Sequence, residues 1–297
     1  MISVLMVVYN EQKYIQEAMR SVLSQSFSDF ELVVVDDGST DNTLNIARRI
    51  ANGDHRVRVI SAGHAGKNHA INIGLQQLKG EWVAFLAGDD FFDREALSMY
   101  WKYACSFNGS ADRVAIPARL RMFSNDEQYR KLNGLELPKN KNAVMHSGGV
   151  CMRSMALMED LFPFPENRPN EDTWVSLYFQ HMHPILVPCP HVTLNYRIHS
   201  GNSIKKDEEW EVFREKYYAR EGVAKDFLER FANRLSAEDE ADVSRRYKLA
   251  ELVYRGETAK ILLMPGISFK NRMRALCYSN ECLYRIKVRL NAVLFGH

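Results

Sequence analysis

Cysteine is scarce and shows no pairing pattern. Cys105, Cys151, Cys189, Cys277 and Cys282 are odd in number, and no two of them stand as C-x-x-C. That argues against a disulfide scaffold or a zinc ribbon and fits a reducing cytoplasm. No stretch approaches the roughly 20 apolar residues that span a bilayer, so a soluble or peripheral protein is expected. The apolar start from Met1 to Val8 lacks a basic leader and a cleavage site, and reads as a first strand rather than a signal peptide. No sign of charge dominates. The 39 Lys and Arg against 37 Asp and Glu leave a net charge of +2, too balanced for bulk nucleic-acid binding. Repeats and low-complexity tracts are absent as well. What remains is an ordinary globular composition, 46% apolar and 26% charged over 297 residues, long enough for one large domain or two smaller ones.

Present instead is an alternation of two periods. Ser3–Val8, Glu31–Val35, Val57–Ile60 and Trp82–Leu86 are short apolar runs of strand length. Between them, Tyr14–Leu23, Asp41–Ala51 and Lys67–Leu78 carry apolar residues at helical spacing. Such alternation predicts a parallel sheet with helices on both faces, which binds ligands beyond the carboxyl ends of its strands. Tyr9-Asn10, Asp36-Asp37 and Asp89-Asp90 all fall at such ends. Paired carboxylates in one crevice repel unless a cation is held between them. Mg²⁺ typically takes one or two carboxylates and leaves its other positions to water and phosphates.

Further on, Asp93–Ala104 reads as a helix, Val114–Met122 as one strand, and Ser124–Met145 as a polar surface loop. Glu171–Phe179 begins a helix, and short strands follow in Pro184–Pro190 and Val192–Tyr196. From Lys206 the pattern is helical, with Ser236 as an N-cap. His181, His183 and His191 lack ligand spacing and read as structural. Met145, Met152, Met155 and Met158 read as core packing.

Six segments in order carry a resemblance: Val8-Tyr9-Asn10-Glu11, Val35-Asp36-Asp37-Gly38-Ser39-Thr40-Asp41, Gly66 to Leu75, Phe85-Leu86-Ala87-Gly88-Asp89-Asp90, Glu171-Asp172, and Tyr196-Arg197-Ile198-His199. Over roughly Ile2 to Ser203 the chain resembles the inverting family 2 glycosyltransferases. The resemblance implies an α/β GT-A fold, a Rossmann-like, mostly parallel sheet flanked by helices, with a helical C-terminal extension. It implies a catalytic domain over 1–205, with a nucleotide-binding half (1–100) and an acceptor half (101–205), and a helical region over 206–297. The implied activity moves a sugar from a nucleotide-diphosphate donor, UDP first, to a hydroxyl of a glycan or lipid-linked glycan, in bacterial surface polysaccharide synthesis.

Site roles follow by the same resemblance. Asp172 is the implied catalytic base, since an attacking sugar hydroxyl must lose its proton. Val7, Tyr9, Asn10, Glu11, Asp37, Lys67, Asp89, Glu171 and Arg197 are implied at the nucleotide sugar. Asp90 and His199 are implied at a Mn²⁺ or Mg²⁺ ion. The plainer readings stand beside these. Asp36-Asp37 is good turn chemistry, Asp90 could cap the next helix, Lys67 could be a solvated lysine, and His199 and Arg197 could be structural. The family's leading aspartate is Ala87 here, which weakens the metal site. That departure leaves room for a non-catalytic nucleotide-sugar-binding subunit, and a nucleotidyltransferase-like enzyme without an acceptor base is the other rival.

Residues 260–297 hold seven Lys and Arg against one acid, Glu281. Leu283, Ile286, Leu290, Val293 and Leu294 fall near helical spacing among them. Such a helix either lies on an anionic membrane, here the inner face of a cytoplasmic one, or packs on the domain with a solvated basic face. A homo-oligomer is left open.

Overall fold

A computed structural model describes residues 1–107, 113–137, 149–153, 160–169, 171–199 and 208–295. The chain divides into two compact units, each assembled from two stretches: Met1–Asn167 with Tyr178–His199, and Arg168–Leu177 with Ser200–His297. The boundary expected at 205/206 lies outside the described residues, as do Met145, Met155 and Met158; Met152 is buried.

In the first unit β1 (Ile2–Val8), β2 (Phe30–Asp36), β3 (Val57–Ser61) and β4 (Trp82–Ala87) alternate with α1 (Ile15–Leu23), α2 (Thr43–Ala51) and α3 (Lys67–Leu75). Then come β5 (Phe91–Phe92), α4 (Ala96–Ser106), β6 (Val114–Pro117), β7 (Arg119–Phe123), β8 (Glu136–Leu137) and β9 (Val150–Arg153). The helix α5 (Glu171–His181) precedes β10 (Ile185–Leu186) and β11 (Val192–Arg197). Among the described residues the main sheet has the order β10-β6-β9-β4-β1-β2-β3. Its β3-β2-β1-β4 part is wholly parallel, as the alternation predicts, and β9 runs antiparallel to β4 and β6.

The buried runs explain the layers. Val4, Met6 and Val8 of β1 meet Ile15, Met19 and Val22 of α1 in one core. Leu5 points to the other face, where Gly74 of α3 leaves it room: a Cβ there would stand 2.4 Å from Leu5 Cδ1. At the amino edge of the sheet, buried Glu31 is fully engaged. It accepts from Ser3 Oγ at 2.6 Å, from the Lys79 N–H at 2.6 Å and from Arg58 at 2.8 Å. Ser3 Oγ in turn accepts the Gly80 N–H at 2.8 Å.

The single strand expected over Val114–Met122 is two strands in two sheets. The chain leaves the main sheet at Ala118 and re-enters as β7 in a four-stranded sheet of order β5-β11-β7-β8. The expected loop after Ser124 contains a 3₁₀ turn over Glu127–Leu132 and the short β8; its end, from 138, lies outside the described residues.

The second unit is helical: the start of α5, then α6 (Trp210–Glu221), α7 (Val223–Phe231), α8 (Ala237–Arg255), α9 (Thr258–Leu263), α10 (Phe269–Ser279) and α11 (Glu281–Phe295). Ser236 caps α8 as expected, its Oγ accepting the Asp239 N–H at 3.1 Å. Leu252, Val253, Ile261, Ala275 and Leu276 form one core. Phe213 stacks among Tyr217, Tyr278 and Tyr284. Among the described residues no helix is long and apolar enough to cross a membrane.

Gly80 tests the amino-edge network. A Cβ at that position would stand 2.5 Å from the Ser3 backbone nitrogen. Backbone cannot yield cheaply, so Gly80→Ala is expected to cost about 1–3 kcal/mol, read as a lower denaturant midpoint at unchanged slope.

Candidate active site

The parallel register pairs Val8 with Asp36, and Ala87 with Val7 one residue before, so the loops after β1, β2 and β4 leave the same sheet edge. Val7 sits one residue inside, between Val35 and Ala87. Short polar bonds join the first two loops. Asn10, in the left-handed region at φ 56°, donates its N–H to Ser39 Oγ (2.9 Å) and accepts the Thr40 N–H on Oδ1 (2.8 Å). The Gln12 N–H meets Asp41 Oδ2 at 3.1 Å.

The two aspartates after β2 divide their work. Asp36 closes the turn, its Oδ2 accepting the Ser39 N–H at 3.1 Å. Asp37 donates its N–H to the Val8 carbonyl (2.9 Å), and its Oδ1 accepts from the Ala65 and Gly66 N–H groups at 3.0 and 3.1 Å. Among the described residues its Oδ2 accepts no hydrogen bond. The loop carrying His64 lies against Asp37 and Gly38. A Cβ on Gly38, whose φ is +72°, would meet the His64 backbone nitrogen at 2.8 Å. The exposed Tyr9 ring stacks on His64 with centroids 4.7 Å apart.

Lys67 opens α3 directly after Gly66, and its charge acts on Asp90. The next polar residues of that motif have a purpose that sequence reasoning missed. Asn72 grips Phe164 twice, Nδ2 donating to its carbonyl (2.9 Å) and Oδ1 accepting its N–H (2.7 Å). Asn68 donates to the Pro165 carbonyl at 2.8 Å, and His69 Nδ1 lies 3.1 Å from Glu166 Oε2. Polar residues at i, i+1 and i+4 of one helix were the visible signal; which backbone they hold was not.

Asp90 is 2% exposed, and its Oδ1 accepts the Arg197 backbone N–H at 2.7 Å. It does not cap α4, which starts at Ala96. Burial pushes its carboxyl well above the ordinary range, and the Asp89 charge adds to this; the Arg197 N–H, Arg197 and Lys67 pull the other way. Asp89 is less buried, with 17% of its side chain exposed, and its Oδ2 lies 3.2 Å from His199 Nε2. Thus Asp89, rather than the expected Asp90, meets the histidine. Arg197, expected near the nucleotide sugar, is 3% exposed. Its guanidinium donates to the Asp89 carbonyl (2.7 Å) and to Glu17 (2.5 Å), and lies over the Tyr14 and Phe123 rings at 4.6 and 4.4 Å. Glu11 lies near the same acids. Burial first, then the Asp89 and Asp41 charges, push its carboxyl up to about 8, against the pull of Arg197. Among the described residues no group of three or more His, Cys, Asp or Glu side chains could hold a metal by itself. An ion here would draw on two protein donors, Asp89 and His199.

Glu171 and Asp172 stand in the first turn of α5, in the second unit. Glu171 is buried and Asp172 half-buried. The segment is anchored to α7: Arg168 pairs with Asp226 at 2.5 and 2.9 Å, and the Trp174 ring packs on Phe227 and Phe231.

The family described as Glycosyl transferase family 2 matches residues 3–161. Over 98 residues the chain is 38% identical to an uncharacterized glycosyltransferase of Haemophilus influenzae, a stretch covering 33% of this chain and 39% of that protein. Over 98 residues it is 39% identical to the poly(ribitol-phosphate) beta-N-acetylglucosaminyltransferase TarS of Staphylococcus aureus, covering 32% of this chain and 17% of TarS. The chain thus spans well under half the length of these curated relatives. Among solved structures it resembles S. aureus TarS 1–349 in complex with UDP-GlcNAc, with a TM-score of 0.60 at 22% identity over 94% of this chain and 80% of that one. It also resembles the mannosyltransferase PcManGT of Pyrobaculum calidifontis in complex with GDP-Man and Mn²⁺, with a TM-score of 0.57 at 16% identity over 100% and 88%. At these identities the likeness shows the fold, which is the GT-A fold.

Glu11 supplies a pH test. Its folded value near 8 lies above the ordinary 4.5, so it takes up a proton on folding. Its contribution is fully present below about 4.5 and is lost as pH rises through 8. Glu11→Gln, permanently neutral, should melt progressively above the wild type as pH climbs through that window with chelator present. A melting difference independent of pH contradicts the assignment.

Proposed function

We propose that this chain, which belongs to glycosyl transferase family 2, transfers a sugar from a UDP-linked donor to a hydroxyl of a glycan or lipid-linked glycan, with inversion at the anomeric carbon. The observation that carries the reading is the contact between Asp89, after β4, and His199, after β11. The 3.2 Å between Asp89 Oδ2 and His199 Nε2 suits an ion pair. It equally suits two adjacent ligands of one divalent ion, which at metal–oxygen distances of about 2.1 Å stand about 3 Å apart. An oxygen and an imidazole nitrogen suit Mn²⁺ at least as well as Mg²⁺. A bound ion would offset the charge that develops on the leaving diphosphate. In this reading Asp90, the ligand expected from the sequence, supports the Arg197 backbone from below.

The chain's own residues do the rest. Asp37 offers Oδ2 to a ribose hydroxyl or a base N–H, while the two backbone N–H groups on Oδ1 keep it oriented. The Tyr9–His64 stack offers an aromatic face to the base, with Val7, Asn10 and Glu11 at the same edge. Lys67 and the first N–H groups of α3 favour the diphosphate. Asp172, with Glu171 beside it, serves as the base. It takes the proton of the attacking hydroxyl as that oxygen bonds to the anomeric carbon. The bond from that carbon to the diphosphate oxygen breaks on the opposite side, and UDP leaves with the electron pair. One displacement inverts the centre. The TarS likeness favours a surface-polymer acceptor.

Thermal shift against a panel of nucleotide sugars should show a UDP-sugar response that is larger with Mn²⁺ than with chelator. A ligand at a hundred times its Kd adds about 2.7 kcal/mol to stability. Asp89→Asn should lose the metal-dependent part, and an equal shift with chelator would sink the metal assignment. Asp172→Asn should bind donor as the wild type does while transfer falls by about 10²–10⁴-fold. Transfer at the wild-type rate removes Asp172 from the chemistry.

A further inference from the structure

The turn between α9 and α10 exposes what a folded protein ordinarily hides. Leu263 is 84% exposed and Phe269 77%, with Leu262 and Met273 also outward. These four bracket Met264-Pro265-Gly266-Ile267-Ser268, the turn that joins α9 to α10. The turn is internally braced. The Arg272 guanidinium donates to the carbonyls of Ile261 and Met264, each at 2.8 Å, and to that of Leu262. Ser268 caps α10 by accepting the Asn271 N–H at 3.2 Å. The Ile261, Leu262 and Met264 carbonyls at the end of α9 are thus satisfied within the turn, the condition a backbone must meet at the edge of a hydrocarbon phase.

Charge surrounds the apolar tip. Lys270 and Arg274 lie one turn apart on α10, exposed, next to Phe269 and Met273, and neither has an acidic partner among the described residues. Lys260 precedes the tip, paired with Glu257. From 260 to 297 the only acid is Glu281; near the turn, Glu257 is paired with Lys260, and Asp242 with the Arg245 side chain that lies against Gly266. Exposed Leu and Phe flanked by lysine and arginine form the composition that seats in the headgroup layer of an anionic bilayer. We propose that residues 260–274 form a membrane-docking tip, in which Leu262, Leu263 and Phe269 enter the interface of an anionic bilayer while Lys270 and Arg274 hold its headgroups. The inference is independent of the transferase reading, and the turn rather than α11 is its seat.

Cosedimentation of the full chain with phosphatidylcholine vesicles, with and without phosphatidylglycerol, tests it. The wild type should partition onto the phosphatidylglycerol vesicles, and added salt should weaken that binding. Leu263→Asp with Phe269→Asp should abolish partition while circular dichroism and melting stay unchanged, since both side chains are exposed. Lys270→Glu with Arg274→Glu should weaken it by at least about fivefold per charge removed and remove the salt dependence. Four results overturn the proposal: no wild-type partition, equal partition onto both vesicle types, survival of binding in Leu263→Asp with Phe269→Asp, or loss only on Ile286→Asp with Leu290→Asp in α11. A concentration-dependent dimer broken by Leu263→Asp, without vesicle binding, would assign the face to a second copy of the chain and overturns it too.

Discussion

A guanidinium sealed inside the first unit sets the terms for everything around it. A buried guanidinium requires compensation on every side. Glu17 on α1 supplies the charge, the Asp89 carbonyl a second acceptor, and the Tyr14 and Phe123 rings their electron-rich faces. Its own backbone N–H goes to Asp90. Five residues on three segments, α1 with its N-cap, the turn between β4 and β5, and β7, are thereby tied to one residue at the end of β11. Two residues further on, His199 reaches Asp89 because this knot fixes both segments. The adjacent aspartates are thus not equivalent. One is spent on the Arg197 backbone and the other is left to meet His199, and the buried charge decides which.

A related economy runs along the sheet. Its amino edge is closed by a network in which buried Ser3 and Glu31 bond Gly80, Lys79 and the half-buried Arg58. At the carboxyl edge the loops are stitched by Asn10, Asp36 and Asp37, yet one oxygen of Asp37 stays uncommitted. Polar groups at one edge are consumed in folding, and at the other one carboxylate oxygen is left over.

The parallel half of the sheet was legible because each strand and helix is a local period, and the acids at the strand ends are adjacent to those runs in sequence. Legibility failed where the deciding partner is distant. Val114–Met122 reads as one strand, since nothing local says that Arg119 onward pairs with β11 while Val114–Pro117 pairs with β9. Asp89 and Asp90 are the same residue type at neighbouring positions, and only Arg197, over a hundred residues away, distinguishes them. Asn68 and Asn72 sat inside a recognised motif, but helical spacing does not reveal that they grip the backbone at 164–165. The segment carrying Glu171 and Asp172 looked like part of the sheet domain because Phe227, Phe231 and Asp226, which hold it in the helical unit, come so much later.

That last arrangement bears on how the molecule is made. Each unit is built from two separated stretches of chain, and the stretches interleave. A ribosome delivers residues 168–177 before any of α7 exists, and then delivers β10 and β11 to finish a sheet begun at Ile2. Domains ordinarily fold in the order of their synthesis. Here neither unit can be completed before the other has been started, so the nascent chain must carry Trp174 unsheltered until Phe227 and Phe231 emerge. No single cut of the finished chain separates the two units.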